Sequence, residues 1–397
     1  MVWAGKGKTA VVGIGMSKLV RHSDKSLGML ALEACKAAIE DAGLKPSDID
    51  GIVTYPDQPF RGAGSRDGED LVTAQFMMNN GFLASDIKWY AQISTGMIAS
   101  APIEGINALI SGACNYVLFW RAMHMPKGTY NTYRMNTAAG DAQFSATYGL
   151  ANPYQIHALQ YRHYLNKFGY QREQMAALVM NSRRNATLNP NAYFYGQPMS
   201  LDDYLNARMI ADPLCLFDCD IPVEGCTALV LTRADLAQAL KNKPAYISGF
   251  GQNTAKQLEY VAYMVADYMK AGVPHANKIW ETAGMSPKDI QAAQLYDGFT
   301  SSTLYWLEAA GFCKEGEALA FVQDGRIALE GEMPLNTFGG SLSEGRLHGM
   351  GHLAEAVRQV TDRAGDRQIA GCENSIAIDG SPLLRGSGMI FSRHPDN

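Results

Sequence analysis

Residues 336–352 read Asn-Thr-Phe-Gly-Gly-Ser-Leu-Ser-Glu-Gly-Arg-Leu-His-Gly-Met-Gly-His, a run in which groups that bind anions and move protons alternate with glycine. Glu344, Arg346, His348 and His352 are set among Gly339, Gly340, Gly345, Gly349 and Gly351. Glycine at that density admits left-handed or crowded backbone, which lets amides and side chains close on a ligand. The amphipathic run His352-Leu-Ala-Glu-Ala-Val-Arg-Gln-Val follows at once, so the loop feeds a helix N-terminus, where backbone N–H groups favour oxyanions. The chemistry expected of such a loop is stabilisation of an oxyanion with proton transfer beside it; the plain alternative is a Gly-rich surface loop.

The elements that must position this loop are legible from a duplication. Residues 40–55, EDAGLKPSDIDGIVTY, recur in register as residues 281–296, ETAGMSPKDIQAAQLY. Each copy has a helix ending at Ala-Gly, a Pro turn with a capping Asp, and a short apolar strand. The preceding helices are expected over Ser26 to Ala42 and Pro274 to Ala283 on their apolar periodicity. One repeat separated by most of a chain implies two related α/β halves, 1–240 and 241–397. An inserted loop region, rich in aromatics such as Tyr130, Tyr133, Phe144, Tyr148, Tyr161 and Tyr164, is expected at about 120–199. Those rings cover either a hydrophobic ligand, a subunit interface or a small core of their own. Gly13 and Gly15 after the first strand are a weak dinucleotide signal, because the third glycine is missing and no helix follows directly.

Totals narrow the function. The 397 residues carry a formal net charge of −5 and are 47% apolar, which argues against nucleic acid as a main partner and is ordinary for a soluble globular protein. The first residues lack a secretory h-region and no apolar run reaches membrane-spanning length, so a cytoplasmic protein with no membrane partner is expected. The seven cysteines include no Cys-x-x-Cys pair, and the Cys215, Cys219, Cys226 cluster has neither zinc spacing nor a nearby histidine. Buried thiols and no metal site are the expectation.

Several ordered segments together resemble the thiolase superfamily, in particular its sterol-carrier-protein-type thiolases, over nearly the whole chain. They are Leu32 to Tyr55, the Ser94-Thr95-Gly96 turn, Asp202 to Asp235 with its Ala211-Asp-Pro-Leu element, Tyr296-Asp-Gly-Phe, and Asn336-Thr-Phe-Gly-Gly through Gly351. The resemblance implies an α/β protein with the five-layered αβαβα thiolase fold built from two duplicated halves. It also implies acyl-CoA substrates, no further cofactor, and a homodimer. The departures from the family pattern are as informative. Where the family places its nucleophilic cysteine, before Ser-Thr-Gly, this chain has Ile93; the family histidine falls on Arg346, with Leu347 in place of the following proline. The second cysteine has no counterpart in Ile378-Asp-Gly-Ser-Pro-Leu-Leu-Arg-Gly-Ser-Gly. Isoleucine cannot form an acyl enzyme, so thiolysis is not expected.

The chain resembles the cysteine-less branch of lipid-transfer proteins that act as aldolases on steroid side-chain CoA thioesters. A tertiary β-hydroxyl cannot be oxidised to the ketone that thiolysis needs, so carbon–carbon cleavage there is retro-aldol and needs a base, an enolate-holding electrophile and an acid. The resemblance makes Tyr296 the leading acid/base residue, with Arg346 stabilising its phenolate; His348, whose pKa is near ~6.5 when unperturbed, is the alternative proton carrier, and Asp297 beside them is expected to cap a helix near Thr300. Ser94, Thr95, Gly96, Asn336, Gly339 and Gly340 are the expected substrate contacts. The same branch implies a small zinc-ribbon and OB-fold acyl-CoA-associated partner protein. Two other functions fit the residues: an acyltransferase or thioesterase that uses Ser94 or His348, and a non-catalytic scaffold.

Overall fold

The structure, a computed structural model, describes residues 1–55, 66–93, 97–124, 143–150, 152–254, 268–383 and 385–396. Its strands are β1 (Thr9–Met16), β2 (Gly51–Thr54), β3 (Trp89–Gln92), β4 (Tyr116–Met123), β5 (Met209–Ala211), β6 (Leu214–Cys215), β7 (Gly225–Arg233), β8 (Ala245–Thr254), β9 (Ala292–Leu295), β10 (Asn374–Ser381) and β11 (Arg385–Ser392). Apart from the β5–β6 ribbon they lie in the order β3-β2-β4-β7-β1-β8-β11-β10-β9. The first five come from the first half of the chain and the last four from the second, and they meet only where Ala10 and Val11 of β1 face Tyr246 and Ala245 of β8. The duplicated segments fold alike: a 3-10 turn, Pro46–Asp48 or Pro287–Asp289, leads into β2 or β9.

Period-2 alternation along these strands sorts the core into layers. Val12, Ile52, Leu118, Trp120 and Val230 pack under the helix Leu27–Asp41. Val11, Val53, Phe119, Leu229 and Leu231 point the other way, onto the helices Ser100–Ser111 and Met350–Val360, which Ala245, Ala377 and Met389 cover from the second half. Leu295, Ile376, Ile378 and Ile390 face outward to the helices Tyr268–Ala283 and Thr300–Ala309. Helix, strand, helix, strand, helix is the expected five-layered arrangement. It brings the N-termini of the two central helices, one from each half, to a common place.

The first helix lies where expected, at Leu27–Asp41, with Ser26 capping it by accepting from the Met29 amide. The second helix differs: it covers Tyr268–Ala283 with Pro274 inside it, not at its start. Pro274 is exposed, so water can satisfy the carbonyl its missing N–H leaves unpaired. The inserted region begins later than expected, because Trp120–Met123 complete β4. Of its aromatics, Tyr161 and Tyr164 are buried, and the Tyr164 hydroxyl donates to Glu308 at 2.5 Å, whereas Phe144 and Tyr148 are exposed. Tyr130 and Tyr133 lie outside the described residues. Gly13 and Gly15 serve packing: a Cβ on either would stand about 2 Å from an Ala38 or Ala34 carbonyl of the overlying helix. Six of the seven cysteines are buried and all are free.

Candidate active site

The Gly-rich loop is buried throughout, which rules out a surface loop. It starts at Asn336, whose side-chain amide pairs with the peptide of Leu295 in both directions, at 2.8 and 2.9 Å. This positions the loop against the end of β9, so Asn336, expected as a substrate contact, serves as a loop anchor in this geometry. Helix Ala176–Thr187 and the turn after it supply further anchors. Asn185 donates to the Asn336 carbonyl, Asn189 donates to the Phe338 carbonyl and to Glu344 Oε1, and the Glu344 carbonyl accepts from the Tyr193 amide. Asn336 and His348 both sit at positive φ, 47° and 52°, a conformation that a non-glycine residue holds only when its surroundings impose it.

Asp297 is the hub, and not by capping the helix at Thr300. That helix begins after Phe299 with no side-chain cap, and the Thr300 hydroxyl donates instead to Asp218. The fully buried Asp297 carboxylate accepts from the Ser341 amide at 2.7 Å, the Leu342 amide at 3.3 Å and His352 Nε2 at 2.9 Å. It therefore binds the turn Gly340–Ser343 and the first turn of the Met350–Val360 helix to the end of β9. Gly340 has to be glycine: at φ 64° its Cβ would stand 1.9 Å from Asp297 Oδ2. Gly340→Ala is expected to cost at least the ~1–2 kcal/mol of left-handed strain and to displace the carboxylate, seen as a lowered Tm with reduced turnover; an unchanged Tm contradicts this packing. Gly339 is equally crowded, by Ala186.

Tyr296 follows β9 and is half-buried, its amide donating to the Ile378 carbonyl. Its ring lies 5.8 Å from that of His352 and its hydroxyl is above Gly298, where a Cβ would come within 2.8 Å. Arg346 is buried, with its amide bonded to the Ile221 carbonyl and its guanidinium 3.6 Å from Asp220. His348 meets Arg121 of β4, whose Nη2 lies 3.2 Å from His348 Nδ1. A guanidinium only donates, so Nδ1 accepts, and the neutral ring carries its proton on Nε2. Burial first, then the charges of Arg346 and Arg121, hold this imidazole well below its ordinary pKa. The imidazole expected as the alternative proton carrier thus stands neutral in this geometry, with an N–H to donate.

Two buried carboxyls brace the loop from behind. Asp379 of β10 accepts from the Ala99 amide at the start of the Ser100–Ser111 helix and from the Ser387 hydroxyl, and Gly349 fits between Asp379 and Ile98. Burial pushes Asp379 up to about 7, against those hydrogen bonds. Burial likewise pushes Glu344 up to about 7, with Arg358 and the Asn189 bond opposing. A carboxyl with a raised folded pKa contributes stability that is complete below its unfolded pKa, near ~4.5 for Glu344, and is lost as pH rises to about 7. Glutamine mimics the protonated acid. Glu344→Gln should therefore flatten the fall in stability across that window, with a gain of at most ~3 kcal/mol above it; urea midpoints with unchanged pH dependence contradict this.

Comparison with known proteins decides the family. Residues 257–393 match the family model described as Thiolase C-terminal domain-like. The chain is 32% identical, over 97% of its length and 99% of the relative's, to the 17-hydroxy-3-oxo-4-pregnene-20-carboxyl-CoA lyase of Mycobacterium tuberculosis. It is 34% identical, over 89% of its length and 90% of the relative's, to the steroid side-chain-cleaving aldolase of Thermomonospora curvata. The chain belongs to the thiolase superfamily, in its aldolase branch. Its fold is similar to that of the solved Ltp2-ChsH2(DUF35) aldolase, with a TM-score of 0.84 at 31% identity over 98% of both chains.

In this thiolase-like aldolase the structure gathers Tyr296, Asp297, Arg346 and His348 at one place, with Gly339 and Gly340 forming the turn beside them. Ser94, Thr95 and Gly96 lie outside the described residues. Ile93 at the nucleophile position packs against the central core, its amide bonded to the Thr54 carbonyl. Two residues escaped the reading of the sequence, Arg121 and Asp220, and His352, singled out there, was not paired with Asp297. Arg121 left a signal, a lone charge within the apolar strand Tyr116–Met123. Among the described residues, no group of three or more His, Cys, Asp or Glu could hold a metal ion.

Proposed function

We propose that the chain is a carbon–carbon lyase that cleaves a steroid side-chain β-hydroxyacyl-CoA by retro-aldol chemistry, with 17-hydroxy-3-oxo-4-pregnene-20-carboxyl-CoA as the model substrate. One observation carries the reading: the chain is similar over nearly its whole length to a CoA lyase of that substrate, while Ile93 leaves the thiolase nucleophile position without a reactive group. Tyr296 takes the proton of the tertiary hydroxyl on ring carbon 17. The C17–C20 bond breaks, its electron pair passes to C20 and the thioester oxygen as an enolate, and C17 becomes a ketone. Tyr296 returns the proton to C20, which releases propionyl-CoA with atoms and electrons in balance. Cationic Arg346 stabilises the phenolate, and the Nε2–H of His348 and amides of the Gly339–Gly340 turn hold the enolate oxygen. Asp297 maintains the turn that carries these donors.

The CoA thioester enters as substrate, and the reaction requires no further cofactor from this chain. The working assembly is a homodimer associated with a small partner of the zinc-ribbon and OB-fold type. Two observations support this: β3 is an edge strand with Tyr90 63% exposed, a surface suited to pairing with a second copy, and the solved neighbour is a complex with a DUF35 protein. No helix among the described residues is long and apolar enough to cross a membrane. We place the reaction in the cytoplasm, with the CoA pool. The test is turnover of the model substrate by the chain with its small partner. The expected products are a 17-ketosteroid and propionyl-CoA in equal amounts; free CoA with an intact acid would indicate a thioesterase, and no turnover a scaffold.

A further inference from the structure

Arg121 brings a charge into the buried strand β4, where it is 4% exposed. A buried guanidinium is costly unless its donors are used. Nη1 donates to the carbonyls of Tyr55 at 3.2 Å and Ala122 at 2.9 Å, and Nη2 to His348 Nδ1 at 3.2 Å. The guanidinium also lies 5.6 Å from the centre of the Tyr55 ring. Among the described residues Nε has no acceptor, and no carboxylate pairs with Arg121. Arg346, the other buried cation here, has Asp220 beside it, so among the described residues Arg121 is the one of the two without a carboxylate partner.

We propose that Arg121 is a positioning residue of the lyase site: it fixes His348 as the neutral tautomer with its proton on Nε2, and it holds a positive charge near Tyr296 that no carboxylate among the described residues pairs with. The inference rests on the reading in which Tyr296 moves the proton and His348 donates to the enolate. The titratable and charged groups around Arg121 are Tyr55 after β2, Arg346 and His348 in the Gly-rich loop, Cys226 in β7 and Tyr296 after β9. Burial, with Arg346 adding to it, lowers the guanidinium to about 10, while Tyr55, Cys226 and Tyr296 oppose the shift. It stays protonated at neutral pH. A charge so placed favours an anion in the pocket, either the phenolate of Tyr296 before cleavage or the enolate after it. Arg121 would thus coordinate both halves of the reaction without touching substrate, through one side chain that reaches from the first half of the fold to the loop of the second.

The test uses the full chain with its small partner. The pH dependence of kcat on 17-hydroxy-3-oxo-4-pregnene-20-carboxyl-CoA is compared for the parent, Arg121→Gln and Arg121→Lys. Removing the charge should move the rising limb up by about one pH unit or more, so Arg121→Gln is about tenfold or more slower at pH ~7 and recovers near pH ~9. Arg121→Lys keeps the charge and should keep the parent limb. A loss by one factor at every pH in Arg121→Gln makes the residue merely structural and overturns the electrostatic part. The second readout needs no turnover: imidazole nitrogen shifts of His348 in the labelled, ligand-free chain. The parent should show a neutral ring protonated on Nε2 across pH ~5.5–8, and both variants should lose that preference, with the His348 midpoint raised in Arg121→Gln. A parent ring protonated on Nδ1, or variants identical to the parent, overturns the positioning part. If Tyr296→Phe kept full activity, the role of Tyr296 would fail while the His348 result stood by itself, so the two failures can be told apart.

Discussion

Tyr296→Phe is expected to fold as the parent does and to lose about 10²–10⁴-fold in kcat, the usual contribution of a positioned proton-transfer group. The ring supplies the packing: it lies against His352 at 5.8 Å and its amide is bonded to the Ile378 carbonyl, and phenylalanine keeps both. Only the hydroxyl is lost, and the ring keeps its place over Gly298, where a Cβ would come within 2.8 Å of that hydroxyl. The loss should fall on kcat with KM little changed, because the phenol acts in the transition state and contributes little to ground-state binding. Steady-state kinetics on the model substrate measure this directly. A kcat within about twofold of the parent would remove Tyr296 from the chemistry and leave His348 as the proton carrier, since Arg346 stays protonated at neutral pH.

Asp297→Ala is expected to be the most destabilising single change in the site, by about 3–5 kcal/mol. The carboxylate has no exposure and accepts three hydrogen bonds, from Ser341 and Leu342 at the start of one turn and from His352 in the next helix. Alanine leaves all three donors buried without an acceptor and opens a cavity beneath Gly340. The loop would lose its tie to β9, so residual folded protein should also turn over slowly. Urea denaturation of parent and variant at the same pH gives the figure. A loss below about 1 kcal/mol would mean that the hydrogen bonds to Asp297 contribute little beyond what water provides.

The parts of this site that could be read in the sequence are those whose meaning is local. The Ala-Gly, Pro turn and strand of residues 40–55 and 281–296 are turn chemistry, so the duplication and the layered halves followed from it. The density of glycine in 336–352 announced the loop for the same reason. Asp297 was legible as a capping residue but not the group it caps: spacing along the chain favours Thr300, whereas the fold turns the carboxylate toward Ser341, 44 residues away. Arg121 and His348 are 227 residues apart, and nothing in either segment announces the other. His348 therefore read only as an alternative proton carrier, because the group that meets its ring belongs to a strand of the other half. Arg346 could be placed in the loop, but its partner Asp220 belongs to the segment that crosses beneath it. Long-range pairs among buried charges are what the linear chain conceals, and in this protein those pairs build the candidate site.

The central claim is carbon–carbon cleavage without a covalent acyl enzyme. Its most direct test is intact-mass measurement of the chain, quenched in acid during steady turnover of the model substrate, with propionyl-CoA and 17-ketosteroid quantified in the same sample. The account predicts equal amounts of the two products and a chain at its unmodified mass throughout. A propionyl or steroid-acyl increment on the chain that forms and decays at the rate of turnover would contradict it.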